Sequence, residues 1–108
     1  MASVAAHKDP FVERVVQRIA DAVHPQQIFL FGSRAGRKSR PESDIDLLLI
    51  YDGPLSKREV KLRIHKLFRE DYVPMDVFVL TPIEMESLKS IANTLAREVA
   101  ETGVLYYG

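Results

Sequence analysis

Asp44 and Asp46 stand one residue apart at the head of the apolar run Ile45–Ile50, behind a polar loop that opens with Gly32-Ser33. In an extended strand successive side chains alternate, so the two acids share one face about 7 Å apart along the backbone, while Ile45, Leu47 and Leu49 take the other. Leu48 and Ile50 continue the acidic face into apolar surroundings. Two carboxylates about 5 Å apart repel by roughly 3 kcal/mol at an effective dielectric of about 20, and by under about 1 kcal/mol in water. Such a pair needs a cation, a shared proton or full exposure. Magnesium takes oxygen ligands, usually one or two protein carboxylates plus substrate phosphates, and an Asp-x-Asp strand meets that demand better than any His or Cys site.

A third acid fits the same pattern. Pro74–Leu80 reads as another strand with Asp76 near its start. If the strands are neighbours, three carboxylates converge at one sheet end. Two metals roughly 3.5–4 Å apart could then clamp an in-line phosphoryl displacement, with the third acid taking a proton from the attacking hydroxyl. The Gly32-Ser33 turn supplies the anion side: glycine permits close backbone approach, free N–H groups cradle phosphate, and the Ser33 hydroxyl adds a donor. Arg34, Arg37, Lys38 and Arg40 follow, with Arg34 nearest the turn. GSRAGRKS is not a Walker A loop, which needs four residues between its glycines and Lys directly after the second.

These residues carry a resemblance. Gly32-Ser33, then Ser43-Asp44-Ile45-Asp46, then a lone Asp76 on a later strand resembles the nucleotidyltransferase superfamily typified by DNA polymerase beta, and within it the minimal nucleotidyltransferases found beside HEPN-type toxins. The likeness runs from the first helix to the closing Leu105-Tyr106-Tyr107. It implies that Gly32 and Ser33 hold the nucleoside triphosphate, Asp44 and Asp46 the magnesium ions, and Asp76 the nucleophile. Such loops often read Arg-Gly where this one has Gly36-Arg37, with the spacing from Ser33 to Asp44 unchanged. The implied activity is magnesium-dependent transfer of a nucleoside monophosphate, AMP from ATP, to an acceptor hydroxyl. No residues follow 108 to build an acceptor-binding domain, so the acceptor is expected on another macromolecule; the resemblance points to tyrosine hydroxyls of a HEPN-type toxin. Two other readings stand beside it: an antitoxin acting by binding alone over a vestigial site, and one subunit of a two-chain transferase acting on a small molecule such as an antibiotic.

The bulk numbers set bounds. The 108 residues suit one domain, with 1–8 a flexible start, and the resemblance implies that it is a single minimal nucleotidyltransferase domain. Folding at this size buries about 65% of the unfolded surface, enough for a core without staples. There is no Cys, which excludes disulfides and thiolate metal sites. The longest apolar run, Leu47–Tyr51, is far short of the ~20 residues of a membrane span. With no leader pattern at the N-terminus, a cytoplasmic protein is the default expectation. Lys and Arg total 15 and so do Asp and Glu, so no global basic field argues for nucleic acid. Self-association is left open.

The supporting elements follow from periodicity. Val12, Val15, Val16, Ile19 and Val23 lie at helical spacing, with Asp9 as cap, Pro10 at the first position and His24-Pro25 as the stop. Gln26–Phe31 is apolar on both faces and predicts a central strand. Asp52-Gly53-Pro54 makes a turn, after which Ser56 and Glu59 form a capping box for a helix buried through Val60, Ile64, Leu67 and Phe68. The basic remainder of that helix reads first as a solvated face, with an acidic partner or nucleic acid the lesser reading. Thr81-Pro82-Ile83-Glu84 is a second capping box, and Asn93-Thr94 is a place to split the helical stretch that follows. Val104–Tyr107 is either a tucked strand or a contact peptide. Met85, Phe11, Phe68 and Phe78 read as packing residues, and the three His lie too far apart for a ligand set. The expected architecture is α/β (α+β): a small mixed sheet flanked by helices, mainly on one face, with the site at the sheet edge near the Gly-Ser turn.

Overall fold

The computed structural model describes residues 8–32 and 44–108; the expected free N-terminus and His7 lie outside that range except for Lys8. Asp9 caps helix α1 (Pro10–Val23) by accepting the Phe11 N–H, and Pro10 occupies the first turn, where its missing N–H costs nothing. His24 closes the helix in the left-handed region at φ 52°. Five apolar residues at helical spacing, Val12, Val15, Val16, Ile19 and Val23, are all buried. The predicted helix and both of its ends match.

Strands β1 (Gln27–Phe31), β2 (Ile45–Ile50), β3 (Met75–Leu80) and β4 (Val104–Tyr107) form one sheet in the order β3-β2-β1-β4. β1 pairs antiparallel with β2 and β4, while β2 and β3 are parallel. The mixed sheet is as expected, with β1 and β2 in the middle. Both are buried on both faces, whereas β3 alternates because it lies at an edge. A parallel neighbour needs a crossover, and helix α2 (Lys57–Leu67) supplies it between β2 and β3. Ser56 caps α2 by accepting the Glu59 N–H. Of the reciprocal box expected there, that half is the one formed.

Two apolar layers sandwich the sheet. On one side Ile28, Leu30, Ile45, Leu47, Leu49, Val77 and Val79 meet the buried stripes of α1 and α2. On the other, Phe29, Phe31, Leu48 and Ile50 meet Val99 of helix α4 (Leu95–Thr102), with Met85 of helix α3 (Pro82–Leu88) at the margin. Helices thus cover both faces rather than mainly one. The reason lies in β1 and β2 themselves: strands apolar on both sides expose a second face that water would otherwise wet.

The remaining expectations resolve locally. Thr81 and Glu84 form the full reciprocal box, and Glu84 also pairs with Lys57 at 2.7 Å, tying α3 to α2. Asn93, at φ 65°, and the cap Thr94 separate α3 from α4. Val104–Tyr107 is the tucked strand, and a register shift between Ile28 and Phe29 helps Tyr106 and Tyr107 both pack on the α1 side. The Tyr106 hydroxyl accepts the Asp9 N–H, joining the last strand to the start of α1. Arg18 donates to the Leu67 carbonyl at 2.7 Å and lies over the Phe68 ring, locking α1 to the end of α2. Among the packing residues foreseen, Phe68 is buried, but Phe11 and Phe78 stay more than a third exposed. Among the described residues no helix is long and apolar enough to cross a membrane.

Candidate active site

Strand register decides which of the foreseen acids meet. β2 and β3 run parallel with Asp46 directly beside Asp76. Neighbouring strands lie about 5 Å apart, so the two carboxylates leave adjacent backbones on the same face. Hydrogen bonds bracket this ladder at both ends, Ile45 N–H to the Pro74 carbonyl at 3.0 Å and Tyr51 N–H to the Leu80 carbonyl at 2.9 Å. Slippage by one residue would turn Asp76 to the opposite face and put Val77 beside Asp46. Asp44 precedes β2 and is exposed.

Gly32 closes the other flank. It follows Phe31, the residue that faces Asp46 across the antiparallel β1–β2 pair. Its φ of +76° lies in the left-handed region, and a Cβ there would stand 2.3 Å from a carboxylate oxygen of Asp46. A side chain here would have to push the Asp46 carboxylate aside, and the positive φ strains any residue but glycine. Gly32, Asp46 and Asp76 therefore lie in a row across the sheet, from the end of β1 through β2 to β3. Ser33 and Arg34, along with Gly36, Arg37, Lys38, Arg40 and Ser43, lie outside the described residues.

Beside the acids lies an aromatic floor. Phe78 neighbours Leu48 in the β2–β3 register, and Phe31 neighbours Asp46 in β1–β2. Strands flanking a central one are about 10 Å apart, yet the two ring centroids are 5.7 Å apart with planes at 57°. The rings therefore lean toward each other across β2, where Leu48, the register neighbour of Phe78, is fully buried. Asp46 is held above the usual carboxylate range, first by burial, then by the charges of Asp76, Asp44 and Glu98 in that order.

Glu98, exposed on α4, is a fourth acid acting on this site. Sequence reading passes over it, because a helical Glu beside a buried Val99 looks like any solvated residue. Its one signal is that position: α4 turns Val99 into the layer that contains Phe31 and Leu48, which brings the preceding turn toward the acids.

What the arrangement can hold follows from its donors. Among the described residues no three ligating side chains are gathered closely enough to enclose an ion by themselves. Two adjacent carboxylates, one raised by burial and then by its like-charged neighbour and set against a glycine cradle, fit a hard divalent ion that completes its shell with phosphate and water. A soft or borderline metal would find no thiolate, since the chain has no Cys.

A family model described as polymerase beta, nucleotidyltransferase, matches residues 13–108, from the first turn of α1 to the last residue. No curated protein matches in sequence. Among solved structures, a chain of a toxin–antitoxin with AMP-PNP aligns at a TM-score of 0.58 and 21% identity, over 89% of this chain and 73% of that one. A chain of the toxin–antitoxin MntA-HepT aligns at 0.54 and 19%, over 93% and 73%. A third comes from a tri-AMPylated Shewanella oneidensis HEPN toxin in complex with MNT antitoxin, at 0.52 and 18%, over 91% and 71%. At such identities the likeness is one of fold, whereas the family match rests on the chain's own residues. The chain belongs to the polymerase beta nucleotidyltransferase family.

Proposed function

We propose that this protein transfers AMP from ATP to a hydroxyl of a HEPN-type partner protein in the cytoplasm, as an antitoxin that modifies its toxin. Gly32, Ser33 and Arg34 receive the triphosphate; Asp44, Asp46 and Asp76 hold magnesium, which when bound neutralises phosphate charge. Asp76 takes the proton of the acceptor hydroxyl as its oxygen bonds to the α-phosphorus, and the bond from that phosphorus to the bridging oxygen breaks with pyrophosphate leaving. The observation that carries this reading is the pairing of Asp46 with Asp76 beside a glycine that only a Cβ-free backbone could place there. It is supported by the fold shared with a toxin–antitoxin with AMP-PNP and with a complex holding an AMPylated HEPN toxin.

Charge explains why the acids sit together. The pair is unfavourable alone and becomes favourable when a dication and a phosphate arrive, so the site gains most when nucleotide and metal are both present. The test is incubation of the protein with α-labelled ATP, magnesium and its HEPN-type partner. Label is expected on the partner, lost in Asp44→Asn and Asp46→Asn. Undiminished labelling by either variant would defeat the assignment. Neutralisation of the partner by Asp46→Asn as well as by wild type would favour an antitoxin acting through binding alone.

A further inference from the structure

We propose that Phe78 is the platform on which the aromatic ring of an acceptor tyrosine rests while its hydroxyl faces Asp76. The inference builds on nucleotidyl transfer to a partner protein, and three observations carry it further.

The first is direction. The row Gly32, Asp46, Asp76 crosses the sheet from β1 to β3. With the triphosphate at the glycine end, in-line displacement brings the attacking oxygen in from the opposite side, which is β3.

The second is exposure. α4 covers the β1 and β2 part of this face, so Phe31 is 6% exposed and Leu48 0%, while Phe78 on β3 is 39% exposed. A large apolar ring left more than a third exposed beside a row of acids is costly in water, and among the described residues its outer side is left uncovered. Phe31 holds the ring from within, at 5.7 Å, and Lys61 flanks it with Nζ 6.0 Å from the ring centre. The platform is thus fixed before anything docks.

The third is reach. Phe78 and Asp76 share a face about 7 Å apart along β3. A phenol packed on Phe78 at the ~4.5–7 Å of aromatic pairs can extend its hydroxyl along the strand toward Asp76. A serine or threonine hydroxyl offers no ring to the platform. In the step itself the phenolic O–H bond breaks with the proton passing to the Asp76 carboxylate; the oxygen then bonds to the α-phosphorus as pyrophosphate departs.

The test is steady-state labelling of the HEPN-type partner with α-labelled ATP and magnesium, comparing wild type with Phe78→Ala, Phe78→Leu and Phe78→Tyr. Loss of the ring in Phe78→Ala is expected to raise the partner concentration for half-maximal labelling about threefold to tenfold, with half-saturation by ATP unchanged. Phe78→Tyr should restore wild-type behaviour; Phe78→Leu, equally apolar but not flat, should recover only part of it. Replacing the labelled tyrosine of the partner by serine should abolish transfer. If Phe78→Ala shifts the ATP dependence instead, the ring serves the nucleobase and the proposal is wrong. If wild type labels the partner and Phe78→Ala does so as readily, this inference fails alone; if wild type labels nothing, the proposed function fails and takes it along.

Discussion

A methyl group added to Gly32 would stand 2.3 Å from the Asp46 carboxylate. No real Cβ tolerates that distance, and the φ of +76° is strained for any residue bearing one. Gly32→Ala is therefore expected to lose about 1–3 kcal/mol of stability and, by displacing Asp46, most nucleotidyl transfer. Urea unfolding together with the labelling assay checks both. An alanine variant as stable and as active as wild type would show that the turn relaxes freely.

The raised carboxyl of Asp46 gives a pH dependence whose sign can be worked out. A folded-state value above the unfolded one means that the folded chain binds more protons, so stability falls as pH rises from the ordinary carboxylate value near ~3.9 through the raised one. Asn at this position carries no such penalty. In the presence of a chelator, Asp46→Asn is expected to melt at a higher temperature than wild type at neutral pH and at the same temperature below about pH 3. Magnesium should narrow the difference at neutral pH. A variant less stable than wild type under metal-free neutral conditions would contradict the account.

Glu84 behaves in the opposite sense. Its hydrogen bond from Lys57, then that from the Thr81 N–H, holds its carboxyl below the usual range. The stabilisation is present above the unfolded value and is lost as pH falls through the folded one. Glu84→Gln should thus differ from wild type at neutral pH and converge with it in acid. Thr81→Ala, which removes the cap itself, is expected to cost about 1 kcal/mol at neutral pH, measurable by thermal denaturation.

Leu48 packs in one layer with Phe31 and neighbours Phe78 across the β2–β3 register, with none of its surface exposed. Leu48→Ala is expected to cost about 3 kcal/mol, the transfer energy plus the cavity left behind. The rings would lose their support, so transfer should fall by more than stability alone explains. Titrating activity at temperatures well below the melt separates the two effects.

What the sequence made legible was whatever is encoded locally. Asp44 and Asp46 share a face because a strand alternates, and Asp9, Ser56 and Thr81 mark helix starts because their side chains satisfy free N–H groups. The division at Asn93-Thr94 is visible because Asn tolerates the left-handed backbone that ends one helical stretch before the next begins. Register is different: nothing near Asp76 says which residue of β2 it will neighbour, since that depends on how α2 packs across the sheet. Glu98 and the open ring of Phe78 share this difficulty. One reads as a solvated helix residue and the other as core, and only the partial cover that α4 gives the sheet tells them apart. The second helical layer was hidden similarly, because runs apolar on both faces say that both need covering but not by what.

The parallel pairing of Asp46 with Asp76 has a kinetic consequence. These residues are 30 positions apart, and the chain between them closes through the crossover that α2 supplies. Pairings that close so much chain come slowly and after local helices and hairpins. A partly folded molecule with α1 and the β1–β2 ribbon in place would still lack the juxtaposition, so turnover, when it is measured during refolding, should lag behind the recovery of helical signal.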